Sequence, residues 1–143
     1  STLKLLELKP DNPTAHMNLG GIYKDLGNLD QALASTLKSL KLKPDNPDAL
    51  INLGSIYKDL GNLDQAFAST LKSLGLKPDE PRAISNLCRY YREGDLQAVK
   101  SATRRAVDQN RAILNDSSYI EAISSLGKNF AKNIIASTAL TNQ

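Results

Sequence analysis

Tryptophan is missing from this 143-residue sequence, phenylalanine occurs twice, and cysteine and methionine occur once each. The single Cys88 closes no disulfide within the chain and supplies no cysteine-based metal site. His16, the only histidine, has no partner at metal-ligand spacing. Cys88 has no histidine near it in sequence to generate a nucleophile. A glycine-rich phosphate loop is absent, because Gly20 and Gly21 fall within an apolar-periodic stretch that reads as a helix. No apolar run approaches the ~20 residues that span a bilayer, and no secretory signal opens the sequence at Ser1. These absences predict a non-enzyme with no cofactor, no metal and no membrane span, in the reducing cytoplasm.

Arginine is absent from residues 1–80, which carry nine lysines and ten acids. All six arginines (Arg82, Arg89, Arg92, Arg104, Arg105 and Arg111) lie beyond, against five acids, so the sequence changes style near Pro81. Lys100, Arg104, Arg105 and Arg111 are the nearest approach to a nucleic-acid surface. Without interleaved aromatics they read as a solvated helix face, and no nucleic-acid partner is predicted. Hydrophobic residues make up 41% of the chain but aromatics only 5%. That balance suits a stack of small helices better than a large aromatic core.

What the sequence does have is a period of 34. Pro10, Pro44 and Pro78 follow it, as do Pro13, Pro47 and Pro81, and Tyr23, Tyr57 and Tyr91. Residues 13–46 match residues 47–80 at 27 of 34 positions. Residues 1–12 resemble residues 35–46 and read as the second half of an earlier repeat, so the chain is expected to be cut from something longer. Each repeat reads as two helices. Ala15, Leu19, Ile22, Tyr23 and Leu26 give the first one apolar face, and Leu29, Ala32, Leu33, Leu37, Leu40 and Leu42 mark the second. Asn12-Pro13 and Asn46-Pro47 suit helix starts, and Gly27 and Gly61 suit helix ends. Such a hairpin cannot bury both faces alone, whereas stacked neighbours can.

The pattern resembles the tetratricopeptide repeat. The first full copy shows His16, Leu19, Gly20, Tyr23, Ala32, Thr36 and Pro44 at the family's marked positions; the second shows Leu50, Leu53, Gly54, Tyr57, Ala66, Thr70 and Pro78. His16 or Leu50 stands where the family has Trp, and Thr36 or Thr70 where it has an aromatic. The resemblance implies an all-α, right-handed α-solenoid of antiparallel helix hairpins. Its units are residues 1–12 (half a repeat), 13–46, 47–80, a degenerate third repeat over 81–115, and a C-terminal helix over 116–143. That last helix opens with a capping-box spacing at Ser118 and Glu121. It reads either as a cap on the stack or as a linker.

Asn18, Asn52 and Asn86 recur 34 apart, each before a leucine. The family resemblance places this asparagine on a concave groove, where an amide can donate and accept along an extended peptide backbone. The alternative is that each amide bonds between neighbouring helices. Further groove positions follow in register: Met17, Gly21, Lys24 and Asp25, then Asp48, Ile51, Ser55, Lys58 and Asp59, then Arg82, Ser85, Arg89, Arg92 and Glu93. The last set turns basic. It reads either as an anion site or as solvated charges paired with Glu93 and Asp95. The clamp that some relatives use on chaperone C-termini is not expected, because Met17 and Gly21 occupy its places. The leading expectation is a scaffold that binds a peptide or protein segment. The alternatives are the targeting arm of a larger, glycosyltransferase-like enzyme and self-association through exposed repeat ends.

Overall fold

The computed structural model describes residues 10–77, 80–93, 97, 101, 105 and 109. The half repeat expected at the N-terminus, the C-terminal helix expected from residue 116, and the side chains of Cys88 and Tyr91 lie outside what is described. Among the described residues five helices have both bounds: α1 (Pro13–Asp25), α2 (Leu29–Leu42), α3 (Pro47–Asp59), α4 (Leu63–Leu76) and α5 (Pro81–Glu93). Among the described residues there is no strand.

Local chemistry sets the boundaries. Asn12 caps α1 by accepting from the Ala15 N–H at 2.9 Å. Asn46 caps α3 by accepting from the Asp48 and Ala49 N–H groups at 3.2 and 3.4 Å. In both helices proline follows directly, where its missing N–H costs no hydrogen bond. At the far end Gly27 and Gly61 take φ of 82° and 84°, a left-handed turn that disfavours a Cβ. There Gly27 donates to the Lys24 carbonyl and Asn28 to that of Tyr23; Gly61 and Asn62 repeat this with Lys58 and Tyr57. This paired closure satisfies carbonyls that the helix end would otherwise leave open.

Each hairpin is antiparallel and close-packed. Ser39 on α2 donates to the Pro13 carbonyl at 2.7 Å, and Ser73 on α4 donates to that of Pro47 at 3.1 Å. Midway, a Cβ on Gly20 would lie 2.3 Å from the Thr36 hydroxyl, and one on Gly54 would lie 2.2 Å from that of Thr70. Thr70 satisfies its own hydroxyl by donating to the Ala66 carbonyl at 2.8 Å. Thr36 stands over Gly20 in the same way, but among the described residues its buried hydroxyl has no hydrogen-bond partner.

The core gathers towards α3, α4 and α5. Ile51, Phe67, Leu71, Leu74, Leu87 and Tyr90 form its cluster, with Tyr57, Leu63 and Ile84 at its edge. Phe67 meets Tyr90 edge to face, with ring centroids 5.8 Å apart and planes at 71°. At the α1 end burial is shallower: Ile22 is 47% exposed, whereas its equivalent Ile56 is fully buried. Tyr23 and Tyr57, read as core from their period, are half-buried. Ile51, read as a groove position, belongs to the core; among the described residues α3 has a helix on either side and α1 on one side only.

Candidate peptide groove

The first helices of successive hairpins, α1, α3 and α5, touch one another. Residues three and four apart share a helix face, so α3 presents Asp48, Asn52, Ser55 and Lys58 as one stripe, and α5 presents Arg82, Asn86, Arg89 and Glu93 as another. Two ion pairs tie these stripes side by side. Arg82 pairs with Asp48 at the start of the helices, and Lys58 Nζ reaches Glu93 Oε2 at 2.6 Å near their ends. Asn52, Ser55, Asn86 and Arg89 lie between the two ties.

Asn18 is exposed, Asn52 and Asn86 are half-buried, and none of the three amides makes a hydrogen bond among the described residues. The inter-helix bonds of the structural alternative are thus not formed there, and the donors and acceptors stay open. Beside them Gly21 leaves free space, with no atom within 4 Å of where its Cβ would stand. Ser55 is half-buried. Lys24 is half-buried and, among the described residues, in no ion pair.

The three predicted arginines differ from one another. Arg82 is engaged by two acids. Its backbone N–H and Nε bond Glu80 Oε1 at 3.1 and 2.9 Å, and its Nη2 reaches both Glu80 Oε2 and Asp48. Glu80 is 3% exposed. The hydrogen bonds from Arg82 hold its carboxyl down at about 2 against the opposing effect of burial, with Lys77 assisting. Arg89 lies over the Tyr90 ring, 5.7 Å from its centroid. Arg92 is exposed and, among the described residues, in no ion pair. The Glu93 carboxyl is held below its ordinary value by the Lys58 ammonium first, with the charges of Arg89 and Arg92 adding to it.

Glu80 and Tyr90 were not singled out by the sequence. Tyr90 stands in the apolar register of Ile22 and Ile56, and Glu80 also carried a signal. Asn46 and Thr14 of one copy become Glu80 and Asp48 in the next, and these two acids are the ones that hold Arg82, the first arginine in the chain. His16 is buried, with Nε2 2.7 Å from the Pro10 carbonyl oxygen. Among the described residues no three of His, Cys, Asp and Glu form a metal-binding group.

Residues 20–61 match a family model described as TPR repeat, and residues 47–80 match one described as tetratricopeptide repeat. Residues 20–80 carry tetratricopeptide repeats. Its fold is similar to the solved structure described as "Crystal structure of MamA", with a TM-score of 0.60 at 20% identity, over 89% of this chain and 67% of that one. A second structure, "MamA MSR-1 C2", aligns with a TM-score of 0.57 at 23% identity, over 78% of this chain and 64% of that one. The chain thus spans about two thirds of the length of each. No curated protein matches it. Tetratricopeptide repeats are protein-interaction scaffolds, and among the described residues no helix is long and apolar enough to cross a membrane.

Proposed function

We propose that the faces of α1, α3 and α5 hold an extended segment of a partner protein, without catalysis, and that the cytoplasm is the compartment, on the strength of the single thiol. The observation that carries this reading is the row of Asn18, Asn52 and Asn86. They stand at one register on adjacent helices, and among the described residues their amides are unspent. An unspent amide at a half-buried site gains most from a ligand peptide group, which offers both a donor and an acceptor. Two helix-to-helix steps of ~9 Å span roughly six residues of extended chain, which sets the length of the segment held.

Selection of displayed random peptides of about ten residues on the full chain, long enough to cover that span at either end, supplies a probe. Asn52→Ala should then weaken the selected peptide about tenfold, the cost of an unmet buried hydrogen bond. Unchanged affinity in Asn52→Ala and in the triple Asn18→Ala/Asn52→Ala/Asn86→Ala variant, at equal helicity, would refute the ladder.

A further inference from the structure

The repeat register isolates one charge. At the position of Lys24, the next copies have Lys58 and Arg92; at the position of Asp25 they have Asp59 and Glu93. Cation and acid therefore recur together along the row and match in formal charge. At the position of Thr14 the row continues with Asp48 and Arg82, but Arg82 is neutralised by Glu80 and Asp48. The register of Gly21 differs. It runs Gly21, Ser55, Arg89, from no side chain through a hydroxyl to a guanidinium. Among the described residues Arg89 has no carboxylate partner; its guanidinium rests over the Tyr90 ring, which supports a cation without discharging it. Arg92 lies about one turn on, exposed. Lys58 completes a group of three cations facing Glu93, and among the described residues, with the exposed Asp59 counted, the group keeps an excess of one positive charge; Asp95 lies outside the described residues.

We infer that the α5 end of the groove reads an acidic side chain of the bound segment through Arg89, with Arg92 alongside. This rests on the groove reading above and adds a direction to it: the partner segment carries Asp or Glu over α5 and a neutral stretch over α1 and α3. Guanidinium suits the task, since its fixed fork can engage both oxygens of a carboxylate. Glu93 stands as the internal competitor for the same charges.

Random peptides displayed and selected on the full chain at low salt should be enriched in Asp and Glu at one place. In a selected peptide, replacing that acid by its amide should weaken binding about tenfold, the loss of one charge-assisted hydrogen bond. Arg89→Ser, which installs the residue of the preceding repeat, should weaken it similarly and flatten its salt dependence. Glu93→Gln should tighten it, roughly threefold for an exposed like charge removed. Weaker binding in Glu93→Gln would mean that Glu93 only braces Lys58, and would overturn the inference. Selected peptides without acid enrichment that still need Asn18, Asn52 and Asn86 would also overturn it while leaving the groove reading intact. Peptides indifferent to those asparagines, or no peptides at all, would remove both.

Discussion

Gly20 and Gly21 are neighbours in sequence but face opposite constraints. A methyl on Gly20 would meet the Thr36 hydroxyl at 2.3 Å and the Ala32 carbonyl at 3.2 Å, so α1 and α2 would have to part. Gly20→Ala should cost roughly 1–3 kcal/mol, as overpacking does. A methyl on Gly21 meets nothing, so Gly21→Ala should instead stabilise the chain by up to ~1 kcal/mol through helix propensity. Chemical denaturation of the two variants checks the sign of each. Glu80 has a pH signature of its own. Its folded value of about 2 lies below the ordinary 4.5, so its contribution is present above the ordinary value and is lost as pH falls towards the folded one. The thermal midpoint should therefore drop between roughly pH 4.5 and 2, and Glu80→Gln should remove part of that drop. An identical acid profile in Glu80→Gln would mean that the Arg82 bonds do not stabilise the fold.

At the scale of the helices, the two full copies are near-identical in sequence and unequal in burial. Phe67 is fully buried against Tyr90, whereas its equivalent Leu33 is half-buried. Phe67→Ala should cost ~3–5 kcal/mol, and Leu33→Ala less than a typical core leucine. Equal costs, measured by the same unfolding experiment, would contradict the one-sided core. The period of 34 made the helices and their ends legible beforehand, because asparagine-proline and glycine carry their caps locally. What it hid was burial. Periodicity says which residues share a face, but not whether a neighbouring helix covers that face. Ile51 looked like a groove residue for that reason.

Across the whole molecule, stacking aligns equivalent residues of successive repeats, and small changes between copies become a gradient along one surface. The asparagines hold constant while Gly21, Ser55 and Arg89 change. A constant row suits what every peptide shares, its backbone, and a changing row suits what distinguishes one peptide from another. Asn18, Asn52 and Asn86 were legible in the sequence as a register. That their amides stay unspent among the described residues, while Arg82 and Lys58 are engaged by acids, required the geometry. The central claim is that ligand meets α1, α3 and α5. Titrating the isotopically labelled chain with a selected peptide and following the side-chain amide resonances tests it most directly. The account predicts that the resonances of Asn18, Asn52 and Asn86 shift together, saturating at one affinity. Shifts confined to residues of α2 and α4, with these three unmoved, would contradict it.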